Sequence, residues 1–319
     1  MEAEQSRLYH FPVSFFSTVM GMAGFTIALT KAESIYHLEP AISKVFLALT
    51  LCLFISLLLV YGAKLLKEKT AVIEELHHPI KLSFFPTISI SLILLSIAIL
   101  NINIEVARVF WIVGSSLHLI FTLYVMNAWI HHDHFNINHM NPAWFIPVVG
   151  NILVPIAGVS LGYTDISWFF FSIGIIFWPV LLTIIYYRLI FHPALPGKLM
   201  PTFFIFIAPP AVGFLSYLHL NGELDNFARI LYYAALFFTL LVFSQFRQFS
   251  KLQFFLSWWA YSFPLAAISI ATMEMYQRTQ NALFSALGII LFTILTLFIT
   301  MLIIKTFKAV LHKKICLAE

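Results

Sequence analysis

Apolar residues fall in blocks of about 20, the length of helix that crosses a bilayer core. The blocks lie at 11–30, 43–63, 82–101, 105–127, 142–162, 166–190, 200–220, 224–247, 254–277 and 281–306. Ten blocks predict ten transmembrane helices. Polar connections such as Asn101 to Glu105 and Gly162 to Asp165 are so short that consecutive helices must run antiparallel. The expectation is therefore an all-α integral membrane fold of five helical hairpins.

Proline is distributed unevenly over this pattern. Pro86, Pro147 with Pro155, Pro209 with Pro210, and Pro264 fall in the third, fifth, seventh and ninth blocks, while the even blocks contain only Pro179. The dipeptides Phe16-Ser17, Phe85-Pro86, Ile146-Pro147, Ala208-Pro209 and Phe263-Pro264 recur at offsets of 69, 61, 62 and 55 residues, one hairpin each. A period of this kind argues for a quasi-fivefold array. Broken backbone at membrane depth is tolerated where it faces protein or a water-filled cavity, so the odd helices are expected to line a central pore. Straight even helices, such as 46–60 and 287–304, would form the outer wall.

Within this frame the stretch Trp258 to Pro264 stands out, because it places Phe263 directly before a proline inside an apolar block. Proline removes a backbone hydrogen bond and bends the helix, turning the preceding side chain toward an interior. Phe263 is the expected plug of the pore. Pro264, Pro86, Pro147 and Pro209 supply the kinks, and Phe16 and Phe85, at the equivalent positions of the repeat, are candidates for further narrowing.

Composition excludes a soluble domain: 61% of the 319 residues are hydrophobic and 10% charged, against about 45–50% apolar in soluble domains. The first ten residues do not form a removable signal peptide, so residues 1–319 are expected to be one transmembrane channel domain with tails of about 1–10 and 307–319. Charge then orients it. Thirteen of the eighteen Lys and Arg fall on the face that carries both termini, and Lys31, Lys44, Arg108, Arg229 and Arg278 on the other. Basic residues favour the inner side, which predicts a multi-pass protein of the cell (inner) membrane with both termini in the cytoplasm.

Candidate chemistry is sparse. The odd blocks hold almost no ionisable residue at mid-membrane, with Glu274 near one end of the ninth and Lys81 at the edge of the third. Coupled carriers need buried charges for relays and substrate pairing, whereas conduction favours weak binding. Backbone amides and the hydroxyls of Ser14, Ser17, Ser83 and Ser262 are expected to donate hydrogen bonds to a passing anion, and basic residues at the mouth to concentrate anions. Selection by dehydration cost then favours large, weakly hydrated anions.

Other features receive structural readings. Cys52 and Cys316 form no framework. His131, His132, His134 and His139 invite a metal, but their loop fixes no ligand geometry; it is expected to be a soluble loop. His118 is expected to hydrogen-bond a neighbouring helix, Gly158 and Gly162 to serve close helix packing, and 64–78 to be a solvated extension of the second helix. No nucleotide-binding or catalytic motif occurs, so no catalytic, cofactor or metal residue is expected, no enzyme activity and no nucleic-acid partner.

Four stretches carry a family likeness: Pro12 to Phe16 with Val19 to Gly24, Asn141 to Asn151, Ile207 to Gly213, and Trp258 to Pro264. In this order they resemble the first, fifth, seventh and ninth helices of the bacterial tellurite-resistance/dicarboxylate transporter (TehA) family, which also contains the slow-type anion channel of plant guard cells. The resemblance implies a homotrimer in the lipid bilayer, each subunit with its own pore, closed by the phenylalanine at position 263. It also implies that Ser17 packs beside that ring, where relatives often have glycine, and that Val19 stands where some have proline. The function implied is an anion channel for small inorganic anions such as chloride or nitrate. The alternative is a coupled secondary transporter for C4-dicarboxylates or tellurite.

Overall fold

The computed structural model describes residues 6–132 and 135–316, and every regular element among them is helical. The principal helices are α1 (Val13–Ile35), α2 (Ala41–Lys67), α3 (Lys81–Ile99), α4 (Ile104–His131), α5 (Pro142–Gly158), α6 (Thr164–Phe191), α7 (Met200–Asn221), α8 (Asn226–Phe243), α9 (Ser262–Thr279) and α10 (Ala282–Leu311). Eight of them, all but α5 and α9, are long and apolar enough to cross a membrane. A short helix, Lys69–His77, follows α2.

The turns that join odd helices to the next even ones are tight and carry their own stop and start signals. Gly222 ends α7 at φ 82°, a conformation glycine adopts without strain. The side chains of Asn103, Asp225 and Asn281 accept hydrogen bonds from the first amides of α4, α8 and α10, which satisfies donors a helix start leaves open. Each odd helix packs against the even helix that follows it.

Odd and even helices differ in burial. Over their most apolar 18 residues α1, α3 and α7 are 78, 72 and 78% buried, against 28–39% for α2, α4, α6, α8 and α10. The odd helices are the interior.

The odd helices also share an irregular start. A 3₁₀ turn, at Val13–Phe15, Lys81–Phe84, Pro142–Trp144, Met200–Ile207 and Leu256–Tyr261, precedes the α-helical part of each. Pro209 and Pro264 sit in the first α-turn after it, where a missing N–H costs little. Proline here marks the junction of 3₁₀ and α backbone rather than a bend within an α-helix.

In α5 the backbone changes again, from α over Phe145–Val149 to 3₁₀ over Gly150–Leu153 and back to α over Val154–Gly158. Neighbouring helices donate to carbonyls along this segment. Thr122 Oγ1 donates to Pro147 O and Trp111 Nε1 to Val154 O, at 2.7 and 2.9 Å, and Ser216 Oγ donates to Ile152 O. Away from water such groups must be paired, because an orphan costs about 1–3 kcal/mol.

Two expectations change. Lys64 is not solvated: 1% exposed, it pairs with Glu75 at 2.8 Å and donates to Phe11 O at 2.8 Å. Gly158 does pack closely, against Trp111 and Ser167, but Gly162 has open space where its Cβ would be and adopts φ +88°. It is a turn residue.

Candidate functional site: a basic-mouthed cavity ending at Phe263

A cavity of about 1190 Å³ opens on the face that carries both termini. All five odd helices and their 3₁₀ turns supply its walls: Ser17 and Met20, Thr87 and Ile90, Val149 and Gly150, Pro209 and Val212, and Phe263 with Pro264. The long even helices touch it near the rim, through Lys64, Lys305, Lys308 and Ala309.

The rim is cationic. Lys81, Lys198, Lys305, Lys308 and Lys314 line it together with Glu74 and the Lys64–Glu75 pair. Lys305 Nζ lies 4.9 Å from the centre of the Trp258 ring and 5.9 Å from that of Phe254, a cation–π arrangement. Deeper in, the wall from Met20 to Phe263 carries no ionisable side chain.

Phe263 reaches this wall half-buried. A Cβ built on Gly24 would stand 3.2 Å from Phe263 Cδ2 and 3.1 Å from Ala266 Cβ. Gly24 is thus an α1 residue that stands against the ring. Ser17 lines the cavity nearer its mouth. The pair Gly21 and Gly24 in an otherwise apolar run was the available signal, since glycines three apart lie on one side of a helix.

The structure sets Phe16 and Phe85 behind the cavity wall. Both are buried, Phe16 edge-on to Phe54 and Tyr61, and Phe85 against Tyr61 and Phe121. Their chain neighbours Phe15 and Phe84 face the cavity instead. Pro86 and Pro147 also stand off the wall, whereas Pro209 and Pro264 are on it.

Two of the hydroxyls expected to serve an anion, those of Ser17 and Ser262, are committed to the backbone. Ser17 Oγ donates to Ser14 O and Ser262 Oγ to Trp259 O, at 2.6 and 2.5 Å; Thr87 and Thr202 make the same bond three residues back. Hydroxyl protons stabilise the 3₁₀ turns here, and Ser83 Oγ is buried without a partner among the described residues. His118 Nδ1 meets Ser89 Oγ of α3 at 2.9 Å, the interhelical bond expected of it. In the histidine loop, Asp133 and His134 lie outside the described residues; His131 Nδ1 contacts Asn127 O and His139 Nδ1 accepts from Asn136 N.

The voltage-dependent anion channel (SLAC1) family matches residues 10–307. The chain belongs to this family. Among its relatives, the S-type anion channel SLAH2 of Arabidopsis thaliana is 27% identical over 89% of this chain and 56% of its own length. The uncharacterized transporter MJ0762 of Methanocaldococcus jannaschii is 26% identical over 96% of both chains. The tellurite resistance protein TehA homolog of Haemophilus influenzae is 28% identical over 83% of this chain and 81% of its own. The chain spans about half the length of the plant relatives SLAH2 and SLAH3. Multiple apolar helices and membership of an anion-channel family make it a multi-pass membrane protein.

Proposed function

We propose that this protein is an anion channel that passes small monovalent anions, such as chloride or nitrate, through a pore within each subunit, and that Phe263 closes the pore. The observation that carries the reading is the large cavity with a lysine-rich rim, uncharged walls and the Phe263 ring at its depth. Lysines at the mouth raise the local anion concentration. An uncharged wall then binds the ion weakly enough to release it. With no tight site along the way, an apolar ring is the barrier an ion must pass.

The ten helices are proposed to cross the membrane as five hairpins, with α5 and α9 as the broken inner crossings. Along α5 the carbonyls of Pro147, Ile152 and Val154 accept from neighbouring helices, as a lipid setting requires. The excess of Lys and Arg on the cavity face supports a reading in which both termini are cytoplasmic and the protein sits in the cell membrane. The family resemblance implies a homotrimer, which cross-linking in native membranes tests.

The test of function is flux from liposomes containing purified protein, measured for a series of anions with and without a proton gradient. A channel gives downhill flux that ignores the proton gradient and is larger for nitrate than for cations. Proton-driven accumulation of malate or tellurite would instead establish a coupled transporter; MJ0762 is named a transporter.

A further inference from the structure

A second, smaller cavity of about 280 Å³ lies on the opposite face, at the far end of the same inner helices. Its charged and titratable groups are Lys31 from α1, His219 from α7, and Glu274 and Arg278 from α9, over a floor of Leu215 and Leu218. On α1 Lys31 is eleven residues beyond Met20 of the large cavity, and on α9 Glu274 is eleven beyond Phe263. Each interval is about 16 Å of helix. The two cavities therefore lie on either side of the Phe263 region.

Glu274 divides its carboxylate between two cations. Oε2 accepts from Lys31 Nζ, and Oε1 accepts from Arg278 Nε at 2.7 Å. Lys31 also donates to Gln277 Oε1, and Arg278 Nη1 donates to Gly222 O. The cations are thus fixed from behind by neutral acceptors, and the one negative group between them is a carboxylate. His219 Nδ1 is engaged with Leu215 O, and Asp225 nearby accepts from Ala228 N and Tyr217 Oη. The trio of Lys31, Glu274 and Arg278 has a net charge of +1, from two cations and one anion.

We infer that Lys31 and Arg278 form an outer binding site for a small monovalent anion, in which Glu274 is a tethered competitor. The carboxylate occupies the place between the cations that a chloride or nitrate ion would take. Being part of the chain, it competes at a high effective concentration. That keeps the site weak, as conduction requires. Removing the carboxylate's charge while leaving its shape strengthens the site and slows release. This inference rests on the channel reading above.

The experiment uses the full chain, wild type and Glu274→Gln, with chloride as the probe. Chloride is titrated from the side opposite the termini in planar bilayers, and separately against thermal unfolding in detergent at constant ionic strength with gluconate. In Glu274→Gln the half-saturating chloride concentration falls roughly two- to five-fold in both readings, the scale of a part-exposed charge pair, and the maximal current drops. Lys31→Gln combined with Arg278→Gln raises it, which keeps the test decisive if Glu274→Gln does not fold. An unchanged or higher half-saturation in Glu274→Gln, or an unchanged one in the double variant, overturns the inference. Absence of wild-type current together with the expected thermal shifts would remove the channel reading and leave the site standing.

Discussion

Gly24 of α1 and Phe263 of α9 stand against each other: a methyl group on Gly24 would meet the Phe263 ring at 3.2 Å. That separation is tight enough that the ring must shift by a few tenths of an ångström. Glycine at this position is what lets the ring lie beside α1 rather than farther across the cavity. Gly24→Ala is expected to wedge the ring into the cavity and reduce anion current severalfold. Adding Phe263→Ala to Gly24→Ala should restore it, and a double variant no more conductive than Gly24→Ala alone would dissociate the pair.

Phe263→Ala is expected to raise conductance at little cost in stability, because the ring is half-buried against a cavity that exists already. Phe16→Ala is the contrasting case. Its ring is fully buried among α1 and α2 side chains, and truncation of a buried phenylalanine costs about 3–5 kcal/mol. Current per channel and thermal unfolding of both variants separate an occluding ring from a packing ring. A Phe16→Ala protein with raised current and unchanged stability would reverse these assignments.

The lysine rim should act through its field. Replacing Lys305, Lys308 and Lys314 by glutamine is expected to lower anion current and anion-over-cation selectivity in about 0.1 M salt, where the screening length is ~10 Å. In ~1 M salt, where it is ~3 Å, the triple variant and wild type should converge. Reversal potentials at both concentrations provide the check, and a deficit that persists at high salt would point to a structural effect.

Lys64 and Glu75 form a buried network in which Glu75 also accepts from Tyr61 Oη at 2.9 Å and from the Val13 amide at 3.2 Å. Loss of one partner leaves the other charge buried, at a cost of about 3–5 kcal/mol. Lys64→Met and Glu75→Gln should each lower the unfolding temperature. The entry into α1 is held by the same groups, so limited proteolysis near residues 6–12 should accelerate as well. Unaltered cleavage in either variant would mean that the network does not hold this segment.

Much of this architecture was legible in the chain. Apart from the ninth, whose block begins eight residues before Ser262, the apolar blocks coincide with the helices to within a few residues: 43–63 became Ala41–Lys67, and 166–190 became Thr164–Phe191. The spacing of Phe16, Phe85, Ile146, Ala208 and Phe263 marked real junctions, since the α-helical backbone begins at or beside each of them. Which side chain at a junction faces the cavity was not legible. A 3₁₀ turn rotates successive residues by about 120° rather than 100°, so a repeat in sequence does not preserve direction. Phe15 and Phe84, rather than Phe16 and Phe85, came to the wall. Ionic contacts between distant segments were equally silent, and Lys64, read as solvated, found Glu75 only through the packing of Lys69–His77 against α2.

The sequence alone determined that this is a membrane protein built of apolar helices, which segments are broken, and which face is basic, because each follows from local composition and from the absence of water in a bilayer core. Tertiary structure decided what those segments enclose. It joined five irregular helix starts around one cavity, laid Phe263 on Gly24, and set Glu274 between Lys31 and Arg278. These depend on distances between residues far apart along the chain, as many as 243 for Lys31 and Glu274. No local pattern encodes such a distance.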